Sequence, residues 1–275
     1  AATMFVYSTS PGAAGHGRMG SAQIIEQEID VHVAETQPPK AVSGLHSTSH
    51  TEGVWSNDPN IGFEWEPAED RGPSGISHYL IELDQSPNTV PNNSFVTDLT
   101  GINRRASESG DWYFHVRPVD NDGNKAKPAD VRHAGPYKID LDDPGRVDPL
   151  TPEHDEFTRD PSGFQGQPVG YTNDRSIAFS WSRPSDAHSG LAGSDVSVYN
   201  ISTVCQTRWG GCLLYNTFLP EDDASLSSPS DEGLYRVVVA SVDVAGNENA
   251  TDALVFVDRT APSARIDVET GVPTE

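Results

Sequence analysis

Lysine is nearly missing from this chain. Of its 18 basic residues only four are lysine (Lys40, Lys125, Lys127, Lys138), against 41 acidic residues and a formal net charge of −23. A surface of that sign repels nucleic acid and anionic membranes, and it favours cations, basic partners or solubility in high salt. Cysteine is almost as rare. Cys205 and Cys212 cannot build a structural zinc site on their own, and they do not form a CxxC redox pair. The six residues between them include Gly-Gly, so the spacing suits a disulfide closing a short hairpin in an oxidising compartment, with free thiols as the alternative. Methionine occurs twice, helical periodicity is missing, and no apolar run approaches the length of a membrane span.

Glycine (24) and proline (21) are abundant instead, as suits many short strands joined by turns. Those strands occur in a duplicated order. Trp55-Ser-Asn-Asp-Pro-Asn-Ile-Gly-Phe-Glu-Trp65 returns as Tyr171-Thr-Asn-Asp-Arg-Ser-Ile-Ala-Phe-Ser-Trp181. Trp112-Tyr-Phe-His-Val-Arg-Pro-Val-Asp-Asn-Asp-Gly-Asn124 returns as Tyr235-Arg-Val-Val-Val-Ala-Ser-Val-Asp-Val-Ala-Gly-Asn247. Two motifs recurring in order mean a duplicated domain. Ile61, Phe63 and Trp65 alternate with polar residues at the period of a half-buried strand, as do Ile177, Phe179 and Trp181. Trp112, Phe114 and Val116 form one inward row, matched by Tyr235, Val237 and Val239, while Tyr113, His115 and Arg117 point the other way.

Residues 37–141 and 142–259 therefore form the two units, each long enough to bury its own core. Both carry an excess of acid, 15 against 9 basic residues in the first and 19 against 7 in the second. Strands Tyr137–Leu141 and Leu254–Val257 close the units and run into proline-marked linkers. Ile29–Val33 runs into a similar linker, so residues 1–36 read as the last strands of an incomplete preceding β-domain. Residues 260–275 read as a linker and the first strand of a following one. Neither end segment has enough strands for a core, so the chain reads as a piece of a longer array, with strand donation between subunits as the sharper alternative.

Ile61-x-Phe-x-Trp65-Glu-Pro67 with Ser74-Gly-Ile76 and Tyr79 resembles the B strand, B–C loop and C strand of fibronectin type III domains. Trp112-x-Phe-x-Val116 and the following Asp-Asn-Asp-Gly-Asn124 resemble the F strand and F–G turn. Val242-Asp-Val-Ala-Gly-Asn247 and Val257-Asp-Arg-Thr-Ala-Pro262 are similar to bacterial and archaeal Ig-like surface repeats. The resemblance covers nearly all of residues 40–260. It implies an all-β chain of tandem antiparallel Greek-key β-sandwiches, seven strands each, with Trp65 and Trp181 in the cores. Tyr235 matches the family's tyrosine corner; the first repeat has Trp112 there, whose indole donates a hydrogen bond but cannot accept one. The second repeat also carries an insertion between its C and F strands, in which Leu213–Phe218 reads as an extra strand.

Asp120-Asn-Asp-Gly-Asn124 has the opening of a calcium loop, yet no glutamate follows at loop spacing and the second copy lacks the middle carboxylate. What persists is what a tight turn needs. Calcium at the domain junctions is a separate expectation. The inferred fold gathers Asp70, Asp120 and Asp122 at the first linker, and Asp142, Asp143, Asp186 and Asp243 at the second. Asn92, Asn200 and Asn249 head N-glycosylation sequons. Catalysis finds no motif: there is no nucleophile elbow, H-E-x-x-H, P-loop or Rossmann fingerprint, and His46 and His50 stand four apart in a stretch that is not helical.

The expected function is non-enzymatic: a secreted or cell-surface structural or adhesive segment that spaces or assembles a surface protein, layer or filament. Its partners would be other copies of itself or neighbouring domains, with no nucleic acid and no membrane insertion, and calcium the one cofactor to test. The alternative is a carbohydrate- or protein-binding module that contacts glycans or surface proteins through Arg208 and Trp209 in the Cys205–Cys212 loop.

Overall fold

The computed structural model describes residues 34–93, 95–148, 150–152, 160–164, 167–173, 175–202, 211–220, 225–229, 231–261 and 263. The first unit contains β1 (Ser43–Ser47), β2 (Trp55–Ser56), β3 (Asn60–Glu66), β4 (Ile76–Asp84), β5 (Phe95–Thr97), β6 (Gly101–Arg105), β7 (Gly110–Asp120) and β8 (Arg132–Ile139). The second contains β9 (Leu150–Pro152), β10 (Asp160–Phe164), β11 (Gln167–Thr172), β12 (Ser176–Trp181), β13 (Leu191–Asn200), β14 (Cys212–Pro220), β15 (Ser225–Pro229), β16 (Gly233–Asp243) and β17 (Glu248–Val257). Each unit is a sandwich. Sheets β1-β3-β6 and β2-β8-β7-β4-β5 face each other in the first, and β15-β12-β9 and β10-β11-β17-β16-β13-β14 in the second. Among the described residues no helix is long and apolar enough to cross a membrane.

The inward rows meet between the sheets. Phe63 stacks on Phe114 with ring centroids 3.9 Å apart, and Trp65 meets Tyr79 edge-on at 5.5 Å. Trp65 and Trp181 are 5% and 7% exposed, which makes them core residues in their own sandwiches and not surface platforms. The two cores share no residue. Leu141 packs against the first and Val147 is buried in the second, so the linker between them is only a few residues long.

Two details depart from the expected seven antiparallel strands. After β1 the chain crosses to the other sheet, where β2 pairs parallel with β8; after β9 and β10, β11 likewise pairs parallel with β17. These extra segments cover the edge of each closing strand, which limits its exposed backbone. The corner formed by Trp112 is the second departure. Its indole Nε1 donates to Glu108 O at 3.0 Å, four residues upstream, just as Tyr235 Oη donates to Asp231 O at 2.8 Å. The corner needs a donor only, so tryptophan serves. The expected extra strand in the second insertion is β14, which pairs with β13 along its whole length.

Candidate junction site

At the pole of each sandwich that receives the preceding linker, the F–G turn supplies one aspartate. Asp120 Oδ1 accepts the amides of Asp122 and Asn124, and Asp243 Oδ1 accepts those of Gly246 and Asn247. Gly123 and Gly246 sit at φ of +88° and +96°, a left-handed conformation that glycine adopts without steric cost. The turn reading of Asp120-Asn-Asp-Gly-Asn124 therefore describes the backbone, and the same aspartate also faces the linker. The B–C loop supplies a second carboxylate: Asp70 Oδ2 accepts Gly75 N and Ser74 Oγ, and Asp186 Oδ2 accepts His188 N and Gly190 N.

The linker supplies the third, and three of its hydrogen bonds repeat. Glu35 and Asp140 each accept the amide two residues on, from Gln37 and Asp142. Asn124 Nδ2 donates to Glu35 O and Asn247 Nδ2 to Asp140 O, both at 3.0 Å. Five residues past each acid, Lys40 N donates to Glu69 O and Gly145 N to Ser185 O, both at 2.9 Å. One carboxylate oxygen each from Glu35, Asp70 and Asp120 lie within 4.8 Å of one another, and so do those of Asp140, Asp186 and Asp243. In the first group, burial and then the neighbouring Asp120 and Asp70 push the Glu35 carboxyl above its ordinary pKa, despite the Gln37 amide. Burial opposes ionisation of Asp120 too, but the Asn124 side chain and amide outweigh it and hold that carboxyl below the usual range.

Of the residues expected at the junctions from sequence, the structure brings Asp70 together with Asp120, and Asp186 with Asp243. Asp122 lies beside the first group, where its Oδ2 accepts the Glu35 amide. Asp142 lies outside the second group; it accepts from Ser109 Oγ at 2.6 Å and meets His188 Nε2 at 3.2 Å. Asp143 is exposed on the linker. Glu35 and Asp140 were not foreseen, although a signal exists: each acid stands four residues before a linker proline, Pro39 or Pro144. Cys212 opens β14, while Cys205, Arg208 and Trp209 lie outside the described residues, as do residues 1–33 and 264–275 of the end segments. Among the sequons, Asn92 is exposed, Asn200 Oδ1 accepts the Ser202 amide, and Asn249 Nδ2 donates to Pro144 O at the junction.

A second cluster sits on the outer face of the first sandwich. His115 is fully buried there, contrary to the outward position its alternation suggests, because His133 on the neighbouring β8 covers it. Their Nδ1 atoms stand 2.6 Å apart, so one ring donates and the other accepts; protonating both would set two N–H groups against each other. Burial holds His115 below its ordinary pKa even though Asp84 Oδ1 lies 3.2 Å from its Nε2. Burial, then the charges of His115 and Arg132, hold His133 low as well. The neutral pair therefore stabilises the fold fully above about pH 6.5, the unfolded value, and that contribution is lost as pH falls below it. Asp84, itself held low, loses its contribution only in a separate window below about pH 3.8. In an NMR titration the His115 and His133 ring protons should show midpoints below 6.5; midpoints at or above that value would contradict the geometry.

No family model matches the chain, and no curated protein matches it. Solved structures of fibronectin type III modules do resemble it. The FN1–FN3 domains of chicken CNTN1 share 11% identity, over 81% of this chain and 69% of that one, with a TM-score of 0.39. The fibronectin(III)-like modules of Clostridium thermocellum CbhA share 12%, over 81% and 100%, with a TM-score of 0.36. A two-domain fibronectin type III segment of chicken tenascin shares 14%, over 78% and 99%, with a TM-score of 0.28. The likeness is one of fold. The strand order described above carries the assignment to tandem β-sandwiches by itself.

Proposed function

We propose that this chain is a non-enzymatic structural segment of a secreted or cell-surface protein, in which β-sandwiches are locked end to end to space or assemble a layer, filament or adhesive stalk. The observation that carries this reading is the linker acid, which accepts the amide two residues on and recurs a third time at Asp258. At the exit of the first sandwich the Asp140 amide donates to Ser56 O at 3.0 Å; at the exit of the second the Asp258 amide donates to Thr172 O at 2.9 Å. Asp258 Oδ1 accepts the Thr260 amide as Asp140 Oδ1 accepts that of Asp142, and Pro262 stands four residues on. Asp140 is buried beneath the second sandwich, whereas Asp258 is exposed and presents the same acid to a further domain or another copy. Electron microscopy of the native particle tests this: beaded rods or ordered polymers are expected, and isolated globules of one chain would contradict it.

A second reading is favoured by β14. Leu213, Leu214, Tyr215 and Phe218 are exposed on this edge strand, beside the Cys205–Cys212 loop. Apolar surface at a sheet edge suits recognition of a protein or glycan. Glycan-array binding that disappears in Trp209→Ala would support this reading, and an array without signal would remove its carbohydrate form.

A further inference from the structure

We infer that Asp140, Asp186 and Asp243 together bind one divalent cation of the hard, oxygen-preferring class, calcium in particular, at the junction between the sandwiches. The inference deepens the end-to-end reading above and rests on it, because Asp140 joins Asp186 and Asp243 of the second sandwich only in the docked arrangement. Asp140 and Asp243 are 0% and 2% exposed. Burying carboxylates is costly unless positive charge or enough hydrogen bonds compensate them. Here every partner is a neutral donor: the amides of Ser189 and Asp142 for Asp140, of His188 and Gly190 for Asp186, and of Gly246 and Asn247, with the Asn247 side chain, for Asp243. Among the described residues no lysine or arginine is paired with any of the three.

The independent sign of a ligand is Asp186. Its Oδ2 takes two loop amides, but its Oδ1 is fully buried with no hydrogen-bond partner. A buried carboxylate oxygen left over in this way, beside two more buried carboxylates, has the character of an ion ligand. One oxygen from each aspartate lies within 4.8 Å of the others. A single calcium ion, with oxygen bonds of about 2.4 Å, can touch all three and complete its shell with water. Calcium tolerates irregular geometry from separate segments better than magnesium, which demands a near-ideal octahedron. The ion would tie linker, B–C loop and F–G turn at one point. The group Glu35–Asp70–Asp120 has the same layout, with Asp70 half-buried like Asp186, but its linker acid Glu35 is half-buried where Asp140 is buried, so the second junction should bind more tightly.

Calcium titration calorimetry of the chelator-treated chain tests the inference. Saturable binding is expected, its tightest site weakened at least tenfold in Asp186→Asn and unchanged in Asp98→Asn, an exposed aspartate outside both groups. A hundredfold excess of calcium over Kd should raise the melting transition of the second sandwich by about 10 °C. No saturable binding to the wild-type chain up to about 10 mM, above the Kd of the weakest extracellular calcium modules, would overturn it. Survival of the tightest site in both Asp186→Asn and Asp243→Asn would overturn it equally. Circular dichroism in chelator shows whether each variant is folded, and the wild-type titration decides by itself if one is not. If the sandwiches hold one mutual orientation in chelator while no calcium binds, the ion is excluded and the end-to-end lock remains.

Discussion

Phe114→Ala should melt the first sandwich about 20 °C earlier and leave the second where it is. Phe114 is fully buried on β7, stacked on Phe63 at 3.9 Å and 5.9 Å from Trp65. Cutting a buried phenylalanine to alanine costs about 3–5 kcal/mol, from lost transfer energy and from the cavity left behind. For a domain of this size each kcal/mol moves the transition by roughly 4–8 °C. The cost stays local because the two cores have no residue in common. Scanning calorimetry would then show one transition displaced and the other fixed. A joint shift would mean that the chain unfolds as one cooperative unit.

Asp140→Ala should leave both cores folded and release the junction. The carboxylate holds the Ser189 amide of the second sandwich at 2.9 Å and the Asp142 amide of the linker at 3.1 Å. Its removal strands the part-buried Ser189 N–H, at up to about 1–3 kcal/mol, while leaving the bonds of its own backbone with Ser56 and Asn247 possible. Arg146, exposed within the linker, is the natural reporter. Trypsin cleavage after it should accelerate roughly tenfold or more, since 1.4 kcal/mol is a factor of ten in the open population. Asp140→Asn keeps the acceptor and should recover most of the protection. Repulsion among the three carboxylates works against this outcome. If it dominated, Asp140→Ala would slow cleavage instead.

The sandwiches were legible because their cores repeat in type as well as position: Phe63 and Phe179, Trp65 and Trp181, Phe114 and Val237 are apolar at a period of two. Strands β2 and β11 were not, since their parallel pairing follows from the chain crossing between sheets, and a two-residue strand has no period to read. His115 lies on the polar side of its alternation yet is buried, because β7 is flanked by β4 and β8, which bring Asp84 and His133 against it. Alternation reports which face a residue occupies; depth depends on neighbouring strands.

The junction was half legible. Asp70 and Asp186 lie in loops, and Asp120 and Asp243 at strand ends, whose place follows from the fold, so grouping them required only the topology. Asp140 follows the end of β8 and Glu35 stands at the same distance before its linker proline, and they differ in side chain, so aligning the repeats by identity passes over them. The spacing from acid to proline links them, in Glu35–Pro39, Asp140–Pro144 and Asp258–Pro262. Asp142 and Asp143 were grouped with the loops because they stand in the linker, but the Asp140 carboxylate holds Ser189 of the second sandwich whereas that of Asp142 meets Ser109 and His188.

In the proposed arrangement the linker acid and its partners hold the two sandwiches at one angle. Residual dipolar couplings measured on the whole chain test it most directly. The account predicts that couplings from residues 43–139 and 176–257 fit a single alignment tensor of one magnitude and orientation, and that Asp140→Ala splits it in two. Two unequal tensors in the wild-type chain, with and without calcium, would contradict it.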